Sequence, residues 1–352
     1  MAAQTRPPYK RGASSAWNRL NQPPSDPLEQ YGLPSKGETK LNDFRAQEKF
    51  FAKIQERYMK FCGSTGGGDA LEKAFDQLSL AEPSSSSPSS FAVAALPSPK
   101  STNPATPTRH FDSPLHNSPK PAVAAASPSH PTDASHSELA LIFAAMRKLR
   151  ESLVATSRTD AFARKAYIFL IHAAILARAW QAYHPALLYL LTRIHASSTS
   201  SSSTSTSSPG AVAAAATGGA LSGPELREFA SYRVLDLACR EGDLGAAFEA
   251  RARWGVVDRR VEGVLRALVR GDWHAFWRLR RAVDGYQRKV MDWAEEGVRL
   301  HAMKCVGMAY NQAERRFVER CAEAAWEELK RRGCGWECEG EWIMIRKRKT
   351  KS

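Results

Sequence analysis

The chain has 352 residues, with 50 Lys and Arg against 36 Asp and Glu and a net charge of +14 at pH 7. Length leaves room for two domains, but residues 84–136 (Ser, Pro, Ala, Thr) and 196–219 (Ser/Thr, then Ala/Gly) have no apolar periodicity and bury too little surface to offset chain entropy. The first helical block and the last few residues are basic whereas 222–345 is near neutral, which weighs against a basic nucleic-acid-gripping domain.

Met1–Leu20 is polar and Pro-bearing, and the most apolar stretch, Ala166–Ala182, is interrupted by Arg178, so neither a secretory signal nor a membrane span is expected. The six cysteines are scattered, as suits thiols in a reducing compartment and a nuclear or cytoplasmic protein.

In chain order, residues 1–40 are Pro/Gly-rich and expected to be a disordered tail. Leu41–Cys62 places Phe44, Phe51, Ile54, Tyr58 and Phe61 at helical spacing, with Asn42 or Asp43 as N-cap. This amphipathic helix either packs on the protein's own core or folds on a partner. Residues 63–136 read as a disordered Ser/Pro-rich linker with several Ser-Pro and Thr-Pro pairs. Among them Thr106-Pro107-Thr108-Arg109 has the basic residue favoured by proline-directed kinases, which makes Thr106 a candidate phosphosite.

The folded region is expected at 137–346. Leu139, Ile142, Phe143, Met146, Leu149 and Leu153 form a helical stripe. Asp160 caps a second, mostly apolar helix that ends at Tyr183-His184-Pro185, and Pro185 opens a third, Ala186–His195. The Ser/Thr/Ala run 196–221 reads as a disordered loop insertion, and helices resume at Pro224 behind Ser222.

A weak repeat follows. Gly242-Asp243-Leu244-Gly245-Ala246-Ala247-Phe248 recurs as Gly271-Asp272-Trp273-His274-Ala275-Phe276. Gly ends one helix with a left-handed C-cap, Asp N-caps the next, and the aromatic one turn on is expected to face the preceding helix. Such helix pairs stack as in tetratricopeptide-like arrays. Phe248, Trp273, Phe276 and Trp277 are the candidate packing residues.

Asp258 caps another helix. Asp284 is expected to start one long helix through Tyr310, and a last helix runs to Gly333 with no break between Glu314 and Arg332. Cys334–Cys338, a turn at Glu339-Gly340 and Glu341–Arg346 read as a β-hairpin. Helix plus hairpin predicts an abbreviated winged-helix-like cap. Seven of nine tryptophans lie between Trp254 and Trp342, which points to a core concentrated there. The expected class is all-α: a helical-repeat array with a small C-terminal winged-helix-like hairpin, plus long disordered segments.

Three segments carry a further signal: Glu228-Phe229-Ala230-Ser231-Tyr232-Arg233, then Gly271-Asp272-Trp273-His274-Ala275-Phe276-Trp277-Arg278-Leu279, then Arg299…Ala302-Met303…Ala309-Tyr310. Their order resembles the GANP-type family of messenger-RNA-export scaffolds. It equally resembles the PCI-like domain shared by a small proteasome-lid subunit, a small signalosome subunit and the k subunit of translation initiation factor three. The resemblance covers about a third of the chain. It implies a non-catalytic domain of helical repeats capped by a winged helix, through which subunits pair.

The search for chemistry turns up little. Cys334 and Cys338 offer two zinc ligands, with Cys321 or His301 to complete a site, but no second tight pair accompanies them. His301 and Cys305 stand one turn apart, and packing in a buried helix explains both. No phosphate-cradling glycine motif or carboxylate pair stands out. No enzyme activity, cofactor, metal or small-molecule substrate is therefore expected; the expected partners are protein subunits of a larger complex. RNA contact is the alternative. It would use the stripes Arg147-Lys148…Arg150 with Arg164-Lys165, and Arg278, Arg280, Arg281, Arg288 and Lys289, together with the tail Arg346, Lys347, Arg348, Lys349.

Overall fold

The computed structural model describes residues 26–64, 131–196 and 218–346. The expectations for Thr106, for residues 197–217 of the insertion and for Lys347, Arg348 and Lys349 lie outside these residues; the insertion expected to reach 221 ends earlier, since Leu221 is buried and Arg164 donates to the Ala220 carbonyl. No described helix is long and apolar enough to cross a membrane.

Helix α1 (Phe44–Ser64) begins where the Asp43 carboxylate accepts the Ala46 N–H at 2.9 Å. Its stripe of Phe50, Phe51, Ile54, Tyr58 and Phe61 is buried against α2 (Pro131–Ala155), in one core with Leu139, Ile142, Leu149 and Leu153. The open alternative is thereby settled in favour of the protein's own core. Phe51 meets Phe162 and Phe169 edge-on, both at 5.6 Å. Gln47, fully buried, donates to the Ser152 carbonyl and the Thr156 hydroxyl. The tail expected at 1–40 ends earlier: Leu28 is buried, and Lys148 donates to its carbonyl at 3.0 Å. The expected linker likewise ends earlier, since α2 starts at Pro131.

α3 (Ala161–Leu176) is capped by Asp160, which accepts from Ala163 N–H, and it is buried on most sides. α4 (Trp180–Tyr189) runs straight through Pro185 into a π turn at Leu190–Ile194. The expected break at Pro185 is replaced by one at Arg178, whose φ of 51° turns the chain upstream. α5 (Gly223–Asp236) opens with a reciprocal capping box between Ser222 and Glu225 and closes in a second π turn, Leu237–Glu241.

Gly242 (φ 72°) and Gly271 (φ 64°) are the left-handed stops the repeat predicts. Asp243 and Asp272 cap α6 (Leu244–Arg253) and α8 (Trp273–Ala282) by accepting from Ala246 and Ala275 N–H. Between them lies α7 (Arg259–Arg270), capped by Asp258. Asp284 caps α9 (Gly285–Met291), but the expected long helix breaks at a 3-10 turn, Asp292–Ala294, before α10 (Glu295–Ala309). Arg280 holds the Asp292 carboxylate at 2.6 Å at that break, a partner the local sequence does not reveal.

The chain then forms β1 (Gln312–Glu314), α11 (Arg315–Ala322), α12 (Trp326–Arg331), β2 (Glu337–Glu339) and β3 (Trp342–Met344). The antiparallel sheet has the order β1-β3-β2. The continuous helix expected over 314–332 is two helices. Glu323 adopts φ 48° between them, and the Glu319 carboxylate caps the second by accepting Trp326 N–H at 2.8 Å. No Gly or Pro marks that break. The hairpin turn falls at Gly340, φ 66°, and β1 adds a third strand that the sequence reading lacked.

Two apolar cores result among the described residues. The larger joins α1–α9, and the smaller gathers Val306, Ala313, Val318, Cys321, Trp326, Leu329 and Ile343 of the terminal unit. Trp273 packs on both. Tryptophan density does not mark the core: Trp277 and Trp326 are buried, but Trp342 is 51% exposed. Bulk burial comes instead from Leu, Ile, Ala, Phe and Tyr of α1–α5.

Candidate interaction surface

The densest polar cluster lies where α4 meets α5. Asp236 is fully buried, and its two oxygens accept from Tyr183 Oη (2.7 Å), Arg240 Nε and Nη2 (2.6 and 2.8 Å) and Arg233 Nη1 (3.0 Å). Arg240 also lies over the Trp180 ring. Burial alone would raise the Asp236 pKa; the Arg240 and His184 hydrogen bonds and the Arg240 charge outweigh it and hold the carboxyl well below the usual range.

Ligand atoms of His184, Asp236 and Glu241 lie within 4.8 Å of one another, the one such grouping among the described residues. Two guanidinium groups already occupy its oxygens, and a metal cation would have to displace both. The cluster reads as a lock between helices. His301 and Cys305 approach to 3.6 Å on α10, but His301 is exposed and Cys305 half-buried, contrary to the expected buried packing.

The basic stripes are largely consumed within the fold. Arg147 pairs with Glu151, Arg150 donates to the Ala182 carbonyl, and Arg164 donates to the Ala220 carbonyl. In the second stripe Arg280 pairs with Asp292, Arg281 with Glu323, and Arg288 donates to the Arg280 carbonyl. These groups satisfy backbone acceptors and carboxylates and do not line up as free charge.

The candidate packing residues separate. Phe276 and Trp277 are buried, and Trp277 Nε1 donates to the Cys321 carbonyl at 3.2 Å, tying α8 to the last turn of α11. Trp273 bridges the two cores. Phe248 is 37% exposed, against expectation. Counting from each Gly-Asp pair, Ala247 takes the inward place of Phe276, and Phe248 that of Trp277. The terminal unit covers Trp277, whereas Phe248 keeps 37% of its surface exposed. Arg299, which sequence reading left without a role, is buried: it donates from Nε to the Ala322 carbonyl at 2.9 Å and pairs with Glu295 and Glu296.

The terminal sheet has two unlike faces. Ala313, Ile343 and Cys338 form the inward row. The outward rows are Glu314–Trp342–Glu339 and Gln312–Met344–Glu337 across neighbouring strands. α12 presents Glu327 and Glu328 in its first turn, and the hairpin carries Glu337, Glu339 and Glu341. Exposed Leu300, Met308 and Tyr310 stand on and just after α10. Arg346, the described start of the basic tail, is exposed two residues beyond β3.

The outward rows escaped the sequence reading because β1 did. The alternation Trp342-Ile343-Met344 was the available signal, since period two sends Trp342 and Met344 to one face.

No family model matches this chain, and no curated protein matches it.

Proposed function

We propose that this chain is a non-enzymatic scaffold or subunit of a multiprotein complex of the proteasome-lid, signalosome, initiation-factor or messenger-RNA-export kind. In this reading the Gly-Asp-hinged helices α5–α9 are a short helical-repeat array and α10–β3 is a winged-helix cap, and both bind partner proteins. The order helix–strand–helix–helix–strand–strand with sheet order β1-β3-β2 supports the cap. The resemblance to PCI-like and GANP-type domains supports the array.

One observation favours protein over nucleic acid as the partner. The surfaces with which a winged helix would approach a duplex, its last helix and its hairpin, carry Glu327, Glu328, Glu337, Glu339 and Glu341 against Lys330, Arg331 and Arg332, and so offer no net positive charge. Phosphate recognition needs Lys and Arg there, and carboxylates repel it.

The test is affinity purification of the full chain from its native cell beside a chain ending at Ala294. Defined proteins should accompany the full chain and be lost with the cap. Recovery of the full chain alone, as monomer, would sink the reading.

A further inference from the structure

The open face of the terminal sheet is the surface that the fold leaves least explained. Trp342, 51% exposed, stands at its centre between Glu314 on β1 and Glu339 on β2. Neighbouring strands lie about 4.8 Å apart, so both carboxylates rise beside the indole. Neither takes part in an ion pair among the described residues. Arg315, the nearest cation in sequence, is turned away to Glu319 and Glu327. In the next row Met344 lies between Gln312 and Glu337.

We propose that this face docks an arginine- or lysine-bearing segment of a partner protein, with one cationic group seated on the Trp342 indole between Glu314 and Glu339. The proposal rests on the reading of the cap as a protein-binding element and adds the chemistry of what it binds.

Three features select this occupant. An indole face attracts a cation, most strongly where water is partly excluded. Two flanking carboxylates add charge-assisted hydrogen bonds, and a guanidinium can serve both. Met344 gives the aliphatic stem of the bound side chain an apolar rest. An acidic segment or a phosphate backbone would meet like charge from Glu314, Glu339 and Glu341, with Arg346 the described cation that follows the face in sequence.

The experiment titrates the full chain with a labelled Gly-Arg repeat peptide at low salt, read by fluorescence anisotropy. Saturable binding is expected, weakened about tenfold by Trp342→Ala. The double substitution Glu314→Gln/Glu339→Gln should weaken it similarly and flatten its salt dependence. All these side chains are exposed, so thermal melting should be unchanged and loss of fold is excluded as a cause.

Absence of binding to the intact chain, or binding indifferent to Trp342→Ala, would overturn the proposal. So would binding that appears only in a chain ending at Arg346, which would make the chain's own basic tail the occupant. A dimer that dissociates on the same truncation would overturn it in favour of a second copy. If partners co-purify and are retained by the Trp342→Ala chain, the docking face is wrong while the scaffold reading stands.

Discussion

Asp236 shows how one buried charge holds two helices. Tyr183 comes from α4 and Arg240 from the π turn after α5; Arg240 stands four residues after Asp236 and so shares its helix face, and Tyr183 reaches the same carboxylate from across the helix pair. The pKa of Asp236 is lowered in the folded chain, so its contribution is fully present above the ordinary Asp range near 4 and is lost as pH falls through the lower folded value. Asp236→Asn should therefore cost about 3 kcal/mol at neutral pH. It should also flatten the fall in stability between neutral and strongly acidic pH, as urea unfolding across that range would show. An acid limb identical to the wild type would refute the assignment.

At the scale of elements, the junction between α7 and α8 combines a left-handed backbone with a close side-chain approach. Gly271 sits at φ 64°, and a Cβ there would lie 2.5 Å from His301 Nε2 on α10. Gly271→Ala meets two separate penalties, left-handed strain and this clash, and should destabilise by about 2 kcal/mol. Adding His301→Ala should recover the part due to the clash and leave the strain, so a double-mutant cycle separates the two. Purely additive single effects would mean that His301 yields freely. α1 makes the complementary point: a helix of this kind is marginal alone, yet its buried face closes over α2 and so belongs to the fold.

Over the whole molecule, the two cores meet through few side chains. Trp273 packs on both, Trp277 donates to the Cys321 carbonyl from α8, and Arg299 donates to the Ala322 carbonyl from α10. The last turn of α11 thus has its orphan carbonyls satisfied from outside the helix. Trp277→Ala removes a buried ring and a donor together. It should loosen the docked terminal unit, raising amide exchange in α11 and α12 well before α3 or α5. Uniform acceleration in all four helices would indicate a single cooperative unit instead.

The sequence by itself determined the helix caps and stops. Asp43, Asp160, Asp243, Asp258, Asp272 and Asp284, and the glycines 242 and 271, act over one turn, so their effect is written within a few residues of each. It also determined the apolar stripes of α1–α3, except that Phe44 is 48% exposed and Phe50 takes its place in the core, and the existence of the terminal hairpin. The tertiary structure alone decided the rest. It fixed which of Phe248 and Trp277 is covered, since only one meets the terminal unit. It broke the helices at Glu323 and Asp292, where Glu319 and Arg280 supply caps and partners absent from any local pattern. It assembled the Asp236 network from residues on separate helices. The open face around Trp342 belongs to this second group: strand pairing sets which side chains share a face, and β1 pairs with β3 across the intervening α11 and α12, a contact no local pattern encodes.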